Sequence, residues 1–151
     1  MPTRDTIHNI VKQALVKDGW EITDDPYVIS YGERFLFVDL GAVEVSQAGE
    51  LIGAQRQGRR IAVEIKELRG PSVIADLEQA IGQYVLYRLL LNKIDPEREL
   101  YLAVSVIVYD EIFSEPLGEL VINELPLQLL VIALDSSEVE QWIPPRPIAI
   151  S

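Results

Sequence analysis

Glu64 and Lys66 stand two residues apart in the alternating stretch Arg60-Ile-Ala-Val-Glu-Ile-Lys66. A carboxylate can hold a divalent metal and a neighbouring ammonium can orient or neutralise the oxygens of a phosphodiester under attack, so this pair suits metal-assisted hydrolysis. Alternation reads as a strand: Ile61, Val63 and Ile65 share one face, and Ala62, Glu64 and Lys66 share the other. Glu and Lys on the open face of an edge strand are also ordinary surface residues, so the spacing alone leaves both readings open. Magnesium takes oxygen ligands from converging elements. Asp39, near the end of the strand-like run Phe35-Leu-Phe-Val-Asp-Leu40 and just before Gly41, offers a second carboxylate, or else a turn former. Sequential strands usually lie side by side, which would let Asp39 and Glu64 meet.

The elements that would position these groups follow from periodicity. Ile7, Ile10, Val11, Ala14 and Leu15 keep helical spacing within a helix from about Thr3 to Lys17, capped by Thr3 or Asp5 and followed by Gly19. Trp20 to Thr23 begins extended chain, Asp24-Asp-Pro26 is a turn, and Tyr27 to Ser30 and Phe35 to Leu40 read as strands joined at Tyr31-Gly-Glu-Arg34. From Gly41 to Arg60 the pattern dissolves, with a short helix or irregular excursion expected over residues 42–52. Gly70-Pro71-Ser72 breaks the chain, and Ser72 caps a long helix from about Val73 to Asn92. Leu100 to Val108 and Leu127 to Leu134 read as buried strands, with short helical pieces around Pro116 between them. Val139 to Ile143 is a last short strand, and Pro144-Pro-Arg-Pro147 a stiff tail. The order predicts one α/β (α+β) domain over residues 1–151, with a central mixed sheet flanked by helices and a Pro-rich tail from about residue 144.

Composition narrows the classes. The 151 residues can bury a core unaided, and the absence of cysteine excludes disulfides, thiolate metal sites and a cysteine nucleophile. No apolar run reaches the ~18 residues of a membrane span and the N-terminus lacks a secretory h-region, so a cytoplasmic protein without membrane attachment is expected. With 24 acids against 13 bases, a net charge of −11 opposes binding to polyphosphate by overall electrostatics. Contact with DNA would need a local basic patch, a bound metal or a basic partner. The dense basic run is Arg56, Arg59, Arg60, Lys66 and Arg69 around the motif strand, which is either a weak DNA-binding patch or a solvated hairpin.

Val38-Asp39 followed by Val63-Glu64-Ile65-Lys66 resembles the D…(D/E)-x-K pattern of the PD-(D/E)xK nuclease superfamily, and Gln83-Tyr-Val-Leu-Tyr87 resembles the Q-h-x-x-Y element of its RecB-like branch. That resemblance implies a restriction-endonuclease-like fold, magnesium or manganese on Asp39 and Glu64, Lys66 assisting the attacking water, Gln83 reaching the metal site and Tyr87 approaching DNA. It also makes His8 a site neighbour, since several nucleases of the superfamily place an acid there; a locally hydrogen-bonded helix histidine is the other reading. A wider set, Asp18-Gly-Trp, Ile22-Thr with Asp25-Pro26, Val38-Asp-Leu-Gly-Ala42, Ile61 to Lys66, Gly70-Pro-Ser72, Gly82-Gln-Tyr84 with Tyr87-Arg88, and Leu100-Tyr-Leu-Ala-Val104, resembles the XisH family of fdxN element excision controlling factors. This implies an accessory role in programmed DNA excision beside a site-specific recombinase and a small XisI-type companion. An active magnesium- or manganese-dependent endonuclease or nickase is the alternative, and the resemblance leaves both cleavage and homo-oligomer formation open.

Overall fold

A computed structural model describes residues 3–45 and 58–146. Helix α1 (Arg4–Lys17) begins where the Thr3 hydroxyl accepts the Thr6 N–H at 3.1 Å, and it ends at Gly19, whose φ of +97° is the left-handed conformation that suits glycine. Strands β1 (Trp20–Asp24), β2 (Tyr27–Tyr31), β3 (Arg34–Val38), β4 (Leu40–Glu44) and β5 (Arg60–Ile65) follow. Helix α2 (Val73–Ile94) comes next, started by the Ser72 hydroxyl accepting from Ala75 N–H at 3.2 Å. After β6 (Arg98–Ser105), the chain makes the short helix α3 (Val106–Val108), a π-helical turn (Tyr109–Phe113) and helix α4 (Pro116–Glu124), before β7 (Leu129–Ala133) and β8 (Glu138–Ile143).

Six strands form one mixed sheet in the order β1-β4-β5-β6-β7-β8, in which only the β5–β6 and β6–β7 pairs are parallel. Parallel neighbours require crossovers, and α2 and the α3–α4 segment supply them. Strands β2 and β3 form a separate two-stranded sheet. The alternation of β5 sorts its side chains as the sequence indicates. Ile61 and Val63, with Ile65 at the margin, pack against Ile7, Val11, Ala14 and Leu15 of α1, while Ala62 packs with Tyr84, Tyr87 and Leu91 of α2. Fully burying an aliphatic side chain of this size contributes roughly 1.5–3 kcal/mol, so each face has its own apolar anchor.

Three expectations need correction. The run 35–40 is not one strand: the chain bends at Asp39, and Leu40–Glu44 is a strand of the main sheet where a helix or excursion was expected. Gly41 and Ala42 look like loop residues because they are small, yet small size is what the packing demands. A Cβ on Gly41 would stand 3.0 Å from both Asp24 Oδ2 and Tyr27 Cδ1. The remainder of the expected excursion, residues 46–57, lies outside the described residues, as does Pro147. Strand β6 also stops at Ser105 and not at Val108, because the Ser105 hydroxyl accepts the Val108 N–H at 3.2 Å and starts a helical turn. Finally, β5 is central and not an edge, with β4 and β6 on either side.

Candidate functional site

The bend at Asp39 brings the two carboxylates together. β4 pairs with β5 in the register Leu40 to Val63, so the residue before Leu40 falls beside the C-terminal end of β5. Asp39 Oδ2 accepts the Ile65 N–H at 2.8 Å, and Glu64 Oε1 accepts the Asp39 N–H at 3.3 Å. Each acid is thus held by the backbone of the other's segment. Asp39 reaches Glu64 through β4, which is the hydrogen-bonded neighbour of β5; β3, the strand that carries the approach to Asp39, pairs only with β2. Lys66 lies beside them, its Nζ 3.6 Å from Glu64 Oε2, and its N–H extends the parallel ladder to Ala103 O at 2.9 Å.

Burial decides the electrostatics. Glu64 is 7% exposed and is the one charged residue among the described residues that counts as buried. Loss of hydration pushes its carboxyl from 4.5 up to about 7, the negative charge of Asp39 pushes the same way, and Lys66 together with the Asp39 N–H pulls back. Tyr87 is also buried, its hydroxyl donating to Phe37 O at 3.4 Å. Its pKa is raised first by burial and then by the charges of Glu64 and Asp39, which puts its ring in the field of the pair. At 7% exposure the Tyr87 ring is packed into the protein and not presented at the surface.

Gln83 stands one helical turn before Tyr87, on the side of α2 nearer the end of β5, because α2 runs back from the C-terminal end of that strand. Its Oε1 is buried without a hydrogen-bond partner. An orphaned buried oxygen is uncommon, since desolvating it costs about 1–3 kcal/mol, and it suits a ligand that would complete its bonding. Among the described residues no group of three or more His, Asp or Glu could hold a metal ion. Two carboxylates are nevertheless a workable protein share for magnesium, which keeps several waters and takes further oxygens from a bound phosphate. Asp39, Glu64 and Gln83 Oε1 are all hard oxygen donors of that kind. The chain turns away from the site through Leu68, whose φ of 50° is unusual for a bulky residue and whose side chain is buried, and through Gly70, whose N–H donates to Asp76 Oδ2 at 2.7 Å.

Other predicted residues lie elsewhere. His8 Nε2 is 2.8 Å from Asp25 Oδ1, with Lys12 Nζ 2.7 Å from the other oxygen, and no hydrogen bond or ion pair links His8 to Asp39, Glu64 or Lys66. Asp25, read from sequence only as a turn former, is the partner that was missed; its carboxyl is held below the usual range chiefly by the Lys12 hydrogen bond. Arg59 and Arg60 sit at the start of β5, about 20 Å along the strand from Lys66, and Arg60 is engaged by Asp95 at 2.6 Å. They do not flank the carboxylates. Arg69 is exposed in the loop after β5, and Arg56 lies outside the described residues.

A central mixed sheet, helices on both faces and a pair of acids, one of them buried, at the end of a middle strand define an α/β protein with a polar site at one end of its sheet. Comparison with known proteins places it further. The family described as XisH protein matches residues 1–140, and the chain belongs to the XisH family. Two solved structures are similar: a fdxN element excision controlling factor protein from Anabaena variabilis, and an XisH family protein from Nostoc punctiforme PCC 73102. The first is 38% identical, with a TM-score of 0.79 over 93% of this chain and 99% of that one. The second is 34% identical, with a TM-score of 0.76 over 91% and 98%. No curated protein matches significantly.

Proposed function

We propose that this chain is an accessory factor of programmed DNA excision, an excision controlling factor of the fdxN element kind, built on an endonuclease-like scaffold and acting with a site-specific recombinase and an XisI-type companion. The likeness to the Anabaena variabilis factor, which runs over nearly the whole of both chains, carries this reading. A plasmid reporter with an excisable element tests it. Excision should require this chain in addition to recombinase and companion, and the companion should co-migrate with the chain on size exclusion. Full excision in its absence overturns the reading.

A second reading, a magnesium- or manganese-dependent endonuclease or nickase, is favoured by the mutual anchoring of Asp39 and Glu64 beside Lys66. Asp39 and Glu64 would hold the ion, with Gln83 Oε1 as a supporting oxygen. The metal would supply Lewis-acid polarisation of a phosphodiester oxygen and acidify water. Lys66, 3.6 Å from Glu64 Oε2, would steady charge on the phosphate. Nicking of supercoiled DNA with manganese by wild type, lost in Glu64→Gln and Lys66→Ala, is the expected outcome; equal nicking by all three removes this reading and leaves the accessory role standing.

A further inference from the structure

The segment between β6 and β7 carries a surface that the carboxylate site does not use. From Val106 to Leu127 there are five acids, Asp110, Glu111, Glu115, Glu119 and Glu124, and no Lys or Arg. All five are exposed, and among the described residues none takes part in an ion pair. Amid them, apolar side chains face solvent: Leu117 is 46% and Leu120 56% exposed. These two are three residues apart and form one exposed ridge of α4, while Val121, Ile122 and Leu125 are partly buried against the core cluster. Gly118 seats α4 on the π-helical turn, where a Cβ would strike the Ile112 carbonyl and the Phe113 Cα. The ridge therefore cannot turn inward to hide its leucines.

The charge selects among the surfaces that could cover the ridge. A second copy would set the same five carboxylates against five more, and a nucleic acid or anionic membrane would meet them with phosphates; each juxtaposition is repulsive. A cationic protein segment gains on both counts, its bases meeting unpaired carboxylates and its apolar residues covering leucines that would otherwise stay wet. Helix ridges pack into helix grooves, and an amphipathic helix is the form that presents apolar residues at matching spacing. We infer that the α4 face, where exposed Leu117 and Leu120 lie in a segment that also exposes Glu111, Glu115, Glu119 and Glu124, is a docking surface for a basic amphipathic helix of a partner protein. This surface is independent of whether Asp39 and Glu64 support cleavage.

The test uses a synthetic helical peptide with leucines along one face and lysines on the other, titrated into the isotopically labelled full chain and followed by amide chemical shifts and fluorescence anisotropy. The expected result is shifts concentrated in residues 106–124. Affinity should fall at least tenfold in Leu117→Ser/Leu120→Ser and in Glu111→Gln/Glu115→Gln/Glu119→Gln, each checked for an unchanged circular dichroism melt. A control with the same charge change on other elements, Asp5→Asn/Glu21→Gln/Glu33→Gln, should bind as wild type does. Equal weakening in the control means that net charge alone drives binding and overturns the inference. So do shifts centred elsewhere, no binding at millimolar peptide, or stronger binding of duplex DNA or anionic vesicles to the same residues.

Discussion

Replacing Glu64 by Gln should stabilise the fold above neutral pH. In the folded chain burial and the neighbouring Asp39 raise the Glu64 carboxyl from 4.5 to about 7, so the folded state holds its proton more tightly than the unfolded chain does. The difference amounts to about 3 kcal/mol, as an upper figure. Its sign follows from linkage: this stabilisation is fully present below pH 4.5, fades as the pH rises through about 7, and is absent above. The glutamine side chain of the variant has no charge to desolvate, and its amide oxygen can still accept the Asp39 N–H. The contact with the Lys66 ammonium, 3.6 Å from Glu64 Oε2, is already part of that net shift, which it lowers. Urea titrations of both proteins from pH 4 to pH 9 should therefore nearly coincide at the acid end. By pH 8 the variant should lead by up to about 3 kcal/mol, which for this chain length is a melting point several degrees higher. An offset between the two proteins that stays constant across this range would refute the electrostatic assignment of Glu64.

Further expectations rest on other contacts. Gly41→Ala should destabilise by roughly 1–3 kcal/mol in urea unfolding, because the added methyl meets Asp24 and Tyr27 at 3.0 Å inside a packed region. Arg146→Ala should lower the melting temperature and alter tryptophan emission: its guanidinium lies 5.0 Å from the Trp20 ring and 4.8 Å from the Trp142 ring, with Glu99 at 3.1 Å. Unchanged emission would contradict that packing, since these are the two tryptophans of the chain. Ser105→Ala should cost about 1 kcal/mol by removing the cap that ends β6, read as a small, pH-independent drop in unfolding free energy.

Strong periodicity made much of the fold legible. The α1 stripe, the Ser72 start of α2 and the two faces of β5 all follow from spacing that tertiary packing reinforces. What escaped were places where a local signal served a distant purpose. Gly41 and Ala42 signal a loop, yet they make a strand that tolerates only small side chains. Val106 to Val108 are β-branched, yet a single hydroxyl at Ser105 turns them into a helix. The site was legible for a different reason. Asp39, Glu64 and Lys66 stood out as charges set in apolar strand sequence, and the two acids do converge, though by way of β4, which the sequence disguised. His8 and the Arg59–Arg60 pair could not be placed the same way, since an exposed charge selects its partner by tertiary proximity, and Asp25 and Asp95 carry no periodic signal.

Whether Asp39 and Glu64 form a divalent-cation site at the end of β5 is tested most directly by calorimetric titration of manganese into the chain at pH 8. One saturable site in wild type, abolished in Asp39→Asn and in Glu64→Gln and retained in Arg60→Ala, is the expected result. No binding at millimolar manganese, or binding that survives loss of either acid, would contradict it.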